Sequence, residues 1–122
     1  MNSVKSSIQL VLLLAAFAME QNAWAHASLQ NASPPINAAL SVSPKEVSLR
    51  FNEKLEAAFS SIKVFDSKGH AVTADKATVD TKDPAILRLA MPMLRPEKYT
   101  VEWVAVGHDG HRRTGSHVFA VK

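Results

Sequence analysis

The stretch Tyr99-Thr100-Val101-Glu102-Trp103-Val104-Ala105-Val106 decides the fold class of this chain. Large apolar side chains recur in it at every second position, namely at Tyr99, Val101, Trp103 and Ala105. A period of two is the pattern of a β-strand that buries one face, because successive side chains point to opposite sides. Val104 and Val106 make the second face partly apolar as well, so this is the strongest predicted strand in the sequence.

Shorter strands are predicted on both sides of this stretch. They cover residues 47–51, 62–64, 72–79, 87–93 and 119–121, with turn signals at Asp66-Ser67-Lys68-Gly69 and Asp83-Pro84 between them. Only residues 52–59 have a helical pattern, about two turns long. About seven short strands separated by turns predict an all-β fold, a seven-stranded Greek-key β-sandwich.

The first 25 residues have the features of a secretory signal peptide. Lys5 supplies a short positive region, residues 8–19 form an apolar run, and Ala23-Trp24-Ala25 fits the small-residue pattern of a cleavage site. The alternative is an uncleaved membrane anchor, but a membrane span needs roughly 20 apolar residues, and polar residues follow this run directly. We therefore expect cleavage after Ala25 and one mature domain covering residues 26–122.

Composition restricts the classes of function. The net charge of +3 is mild and the basic residues are scattered without a row of aromatic residues, so the sequence gives no support for nucleic-acid binding. The chain contains no cysteine. An exported domain of this size often relies on disulfides, so this one must rely on its core. A metal site would have to use nitrogen and oxygen ligands, with methionine as the only source of sulfur.

Cleavage after Ala25 would make His26 the first residue of the mature chain. An N-terminal histidine can hold one metal ion through its free α-amine and its imidazole Nδ1 together. The amine has an ordinary pKa near ~8, so a metal ion can displace its proton at neutral pH. Cu(II) prefers a tetragonal set of nitrogen and oxygen donors. His26 would fill half of such a plane, and one more imidazole with a carboxylate or water would complete it.

The remaining donors are predicted in the segment from Gly107 to His111. Asp109 and His111 are two residues apart, so in an extended chain both side chains would point to the same face. An alternative remains open, because Asp-Gly is a favoured hairpin dipeptide and the loop could be a tight turn that binds no metal. Together with His26, however, Asp109 and His111 make one site of four donors for Cu(II).

The other histidines are weaker candidates. His117 has the same parity as Phe119 and Val121, so we expect it to face inward or to orient a ligand rather than to bind the metal. His108 is a possible secondary ligand, or it is exposed beside the site. His70 follows a predicted turn and is expected to be solvated.

Sulfur ligands and catalytic nucleophiles have little support in the sequence. Met91 and Met93 share an apolar face with leucines, so we expect them in the core rather than in a Cu(I) site. The motifs that activate a serine nucleophile and the glycine-rich loops that bind phosphate do not occur.

Several stretches together resemble the CopC family of periplasmic copper-resistance proteins. They are His26-Ala27-Ser28-Leu29 with Ser33-Pro34-Pro35, then residues 47–53, then residues 99–103, Asp109-Gly110-His111 and Thr114-Gly115-Ser116 with Phe119. The resemblance covers essentially all of residues 26–122. It implies an immunoglobulin-like β-sandwich or barrel and a Cu(II) site formed by His26, Asp109 and His111. Some relatives have a methionine-rich loop for Cu(I), but the corresponding residues 64–76 contain no methionine, so we expect Cu(II) only.

The resemblance also implies binding rather than catalysis. We expect a monomeric periplasmic protein that buffers or delivers copper, with a possible membrane partner of the CopD type. Three alternatives remain. They are a copper monooxygenase similar to the lytic polysaccharide monooxygenases, a zinc carrier with the same ligands, and a structural sandwich without metal. Trp24 would be lost with the signal peptide, which leaves Trp103 and no aromatic platform for a polymer.

Overall fold

The structure, a computed structural model, describes residues 27–122. The predicted signal peptide and His26 therefore lie outside the described residues. No helix within 27–122 is long and apolar enough to cross a membrane.

Eight strands build the described part of the chain. They are β1 (Leu29–Ser33), β2 (Ala39–Leu40), β3 (Glu46–Phe51), β4 (Ser61–Phe65), β5 (Thr78–Val79), β6 (Ile86–Ala90), β7 (Lys98–Val106) and β8 (Arg112–Val121). One sheet has the order β1-β3-β6-β5 and the other the order β2-β8-β7-β4. The all-β sandwich is confirmed. The count of seven is corrected to eight, because a strand as short as β2, two residues, has no recognisable period. Of the predicted strand 72–79, only the two residues of β5 form a strand.

The core lies between the inward faces of the two sheets. Its buried side chains include Val47, Leu49 and Phe51 of β3, Leu87 and Leu89 of β6, and Tyr99, Val101, Trp103 and Ala105 of β7. The ring of Phe51 meets the ring of Trp103 edge-on, with centroids 5.0 Å apart and planes at 70°. Trp103 passes over Gly115 on the neighbouring strand so closely that a Cβ there would overlap its indole. The predicted period of two in β7 is therefore the pattern of its buried face.

The hairpin of β7 and β8 is the longest feature of the fold. The strands pair without interruption from Lys98 opposite Ala120 to Val106 opposite Arg112. β8 is much longer than the predicted strand 119–121, because its first half carries polar residues that give no hydrophobic period. The hairpin holds the loop between Val106 and Arg112 at one end of the sandwich.

The predictions for residues 52–59 and for Met93 are also wrong. Residues 52–59 form a loop with an isolated bridge between Leu55 and Gly107, not a helix. Its contacts to the β7–β8 loop override a weak helical pattern. Met93 has 88% of its surface exposed, although Met91 packs partly against the core. β6 ends at Ala90, so the alternation that would have turned Met93 inward stops before it.

Candidate metal-binding site

The loop between β7 and β8 is a tight turn. The Gly110 N–H donates to the Gly107 carbonyl at 3.0 Å, and the Gly107 N–H donates to the His111 carbonyl at 3.3 Å. Gly110 has a φ of +83°, a left-handed conformation that glycine adopts without the penalty of a Cβ. The Asp-Gly pair therefore forms a turn, as one of the two open interpretations predicted.

The turn nevertheless brings Asp109 and His111 together. One carboxylate oxygen of Asp109, Oδ1, accepts the backbone N–H of His111 at 3.0 Å. The other, Oδ2, lies 3.2 Å from the imidazole Nδ1 of His111. The side chains are 35% and 51% exposed, so both can reach an ion from solvent. An oxygen donor and a nitrogen donor thus stand side by side at the end of the sandwich.

The segment that follows β3 contacts the β7–β8 loop through backbone hydrogen bonds. The backbone carbonyl of Lys54 accepts the His108 N–H at 3.3 Å, Leu55 bridges to Gly107, and the Glu56 N–H donates to the Val106 carbonyl at 2.8 Å. These contacts connect the segment to the loop at three successive residues. The position of the loop is therefore determined by residues some fifty positions away in sequence.

Glu53 is a residue that the sequence analysis did not select as a ligand. Its carboxylate lies directly over Gly107, where an added Cβ would overlap Oε1 of Glu53 and come within 3.2 Å of Oδ1 of Asp109. Oε1 of Glu53 is buried and has no hydrogen-bond partner among residues 27–122. Burial of an unpaired carboxylate oxygen is costly, so this atom requires a donor or a cation. A signal was available, since Glu53 lies two residues after a strong strand, but its neighbour Gly107 is remote in sequence.

The first described residues, Ala27 and Ser28, contact the segment that contains Asn52 and Glu53. Ala27 is fully buried, the Ser28 N–H donates to Oδ1 of Asn52 at 2.7 Å, and the Asn52 N–H donates to the Ser28 carbonyl at 3.1 Å. Ala27 and Ser28 are therefore held against the segment that follows β3. Ser28 on one side and the loop carrying Asp109 and His111 on the other therefore both flank the segment containing Asn52 and Glu53.

The structure separates the remaining histidines from this pair. Nε2 of His108 lies 3.7 Å from Oε1 of Glu56, on the side of the loop where Phe59 and Arg112 line a cleft. His117 lies in β8, six residues after His111, or about 20 Å at the rise of a strand. His70 is exposed in a turn, as predicted, where Asp66 accepts its backbone N–H. Within 27–122, no group of three or more His, Cys, Asp or Glu side chains is arranged to hold a metal ion.

His117 faces the core, as its parity predicted. It pairs with Val101, and its Nε2 is buried without a hydrogen-bond partner in the described residues. Burial lowers the pKa of His117 below its ordinary value of 6.5, because the imidazolium loses solvation. The folded state therefore binds this proton less readily than the unfolded state does.

A pH dependence of stability follows from the lowered pKa of His117. Well above pH 6.5 both states are neutral at this residue, so its contribution does not change. As the pH falls through 6.5, the unfolded state takes up the proton first and the free energy of unfolding decreases. We expect His117→Leu to flatten this decrease in urea unfolding of the copper-free protein between pH 7.5 and 5.5. His70→Leu, the exposed control, should keep the wild-type slope; an unchanged slope in His117→Leu would contradict the assignment.

Comparison with known proteins identifies the family. The family model of the CopC domain matches residues 29–122. This chain belongs to the CopC family. The match contains Glu53, Gly107, Asp109 and His111, so the loop and its supporting segment are parts of the family's domain.

Solved CopC structures and a longer relative extend the comparison. The crystal structure of CopC from Methylosinus trichosporium OB3b is 36% identical, covers 80% of this chain and 94% of that one, and has a TM-score of 0.75. PcoC from Escherichia coli, a methionine-rich copper resistance protein, is 31% identical, covers 80% and 100% of the two chains, and has a TM-score of 0.71. The copper transport protein CutJ of Bacillus subtilis is 33% identical over 92% of this chain but only 21% of its own length.

Proposed function

We propose that the protein binds Cu(II) in the periplasm through His26, Asp109 and His111, and that it buffers or delivers copper there. The observation that carries this proposal is the 3.2 Å contact between Asp109 and His111 beside the anchored start of the described chain. Two similar proteins, PcoC and CutJ, carry copper resistance and copper transport in their names.

The donor chemistry suits Cu(II). His26, once released by cleavage after Ala25, would supply an amine and an imidazole nitrogen, His111 a second imidazole, and Asp109 a carboxylate oxygen. Nitrogen and oxygen donors in a plane are the preferred surroundings of Cu(II). Because copper displaces protons from the amine and the imidazoles, binding weakens as the pH falls.

Glu53 completes the arrangement without necessarily touching the ion. Its buried oxygen lies over Gly107 and close to Asp109, where it can accept a hydrogen bond from the α-amine or from a metal-bound water. The added negative charge favours a divalent ion. This assignment explains why the fold leaves a carboxylate oxygen buried and unpaired among residues 27–122.

The proposed site binds copper as Cu(II) only. Residues 64–76 contain no methionine, in contrast to PcoC, which is described as methionine rich. Met93 is exposed but Met91 is partly buried in the core, and the two do not share a face. We therefore propose binding without a Cu(I) site and without catalysis.

A monomer in exchange with a membrane protein is the proposed working state. In CutJ the matched region is about a fifth of a longer copper transport protein, which supports exchange between this domain and a transporter. A CopD-type protein in the inner membrane is the proposed partner. Export by the predicted signal peptide would place the domain on the periplasmic side of that membrane.

The deciding experiment tests the N-terminal amine. The mature chain starting at His26 is compared with a chain carrying one extra alanine before His26, and with a control carrying the extra alanine after Lys122. We expect the N-terminal extension alone to lower Cu(II) affinity, by at least about tenfold, because it converts the amine into an amide. Competition titration measures the affinity, and a parallel Zn(II) titration tests the zinc alternative. Equal Cu(II) affinity in all three chains would refute the proposal.

A further inference from the structure

Burial and hydrogen bonds hold Ala27 and Ser28 against the segment that follows β3. Ala27 is fully buried, and Ser28 exchanges two hydrogen bonds with Asn52 at 2.7 and 3.1 Å. In a regular antiparallel pair, both bonds would join backbone atoms. Here the Ser28 N–H is accepted by the side chain of Asn52 instead.

The side-chain bond compensates for an irregular ladder. β1 pairs with β3 at Leu29 opposite Phe51, but the register shifts between Leu29 and Asn31. A bulge of this kind interrupts the regular exchange of backbone hydrogen bonds. Asn52 therefore holds Ser28 at the end of β3.

Asn52 is also connected to the opposite half of the proposed site. It stands between Phe51, whose ring is buried against Trp103, and Glu53, whose carboxylate covers Gly107. The next residues bond to the β7–β8 loop. One short segment thus contacts both the chain start and the loop that carries Asp109 and His111.

We propose that Asn52 is a positioning residue for copper binding, which holds Ser28 so that His26 is presented to Asp109 and His111. The inference rests on the proposed function. A chelate formed by the amine and imidazole of His26 binds tightly only if the residues that follow it are already ordered, since ordering free residues on binding costs affinity. Release of one residue's backbone corresponds to roughly a tenfold loss of affinity.

The test compares variants of the mature chain by the rate at which a chelator removes Cu(II) and by electron paramagnetic resonance. Asn52→Leu keeps the size of the side chain but removes the acceptor, and Asn52→Ala repeats the test in a smaller residue. We expect dissociation about tenfold faster in both, with a second copper species in the spectrum. Asn52→Asp, which retains the Oδ1 acceptor and adds a negative charge, should restore the single wild-type spectrum and release copper no faster than the wild type. Asn31→Leu, an exposed position on β1, is the matched control.

The outcomes separate this inference from the proposed function. If one extra residue before His26 leaves the affinity of the wild type unchanged, the amine clamp fails and the role of Asn52 fails with it. If that extension weakens binding but Asn52→Leu and Asn52→Ala release copper within about twofold of wild type, only the positioning role is overturned. Lower unfolding stability with unchanged copper release would likewise overturn it.

Discussion

His111→Ala is expected to weaken Cu(II) binding by at least about a hundredfold, because loss of even an outer partner of a metal ligand costs 10–100-fold. The variant removes one of three nitrogen donors, and Asp109 alone cannot replace an imidazole. His26→Ala should be equally damaging because it removes one arm of the chelate. Asp109→Ala should lower Cu(II) affinity less. Water can take the place of the carboxylate oxygen, so only the negative charge is lost. Competitive titration at constant pH measures all three.

His70→Ala is the matched control for this series. It also removes an imidazole, but from an exposed turn that contacts Asp66 and not the β7–β8 loop. Its affinity should equal that of the wild type. Comparable losses in His70→Ala and His111→Ala would mean that copper binds nonspecifically to surface histidines, and the assignment of the site would be wrong.

The largest effect on stability is expected for Phe51→Ala. The ring is 1% exposed and meets Trp103 edge-on, so its removal should lower the free energy of unfolding by about 3–5 kcal/mol. Phe51 directly precedes Asn52 and Glu53, and copper affinity should decrease as well. Denaturant unfolding followed by the fluorescence of Trp103 measures the effect in the mature chain, which would lack Trp24.

Phe59→Ala provides the comparison for that measurement. Phe59 is 68% exposed, so the same substitution there should change stability by no more than about 0.5 kcal/mol. Similar losses at the two positions would show that the Phe51–Trp103 contact does not anchor the core. A loss at Phe51 with unchanged copper affinity would instead separate the core from the proposed site.

The parts of the fold that could be predicted are those with a long hydrophobic period. Residues 47–51 and 99–105 alternate strictly, and both form central strands with one buried face. The two-residue strand β2 has too few positions to show a period, and of the predicted strand 72–79 only residues 78–79 form a strand. The first half of β8 was missed because a strand whose ends lie near solvent can carry polar residues on both faces. Residues 52–59 followed tertiary contacts instead of their weak helical pattern.

The pairing of Asp109 with His111 could be anticipated from the sequence because the two residues are neighbours along the chain. The sequence by itself also determined the class of the fold, the donors available for a metal and the likeness to one family, since composition and local period are properties of the chain. Only the tertiary structure placed Glu53 over Gly107 and bound Ser28 to Asn52. Those contacts join residues 24 to 54 positions apart, and no local pattern encodes which remote backbone a side chain will meet.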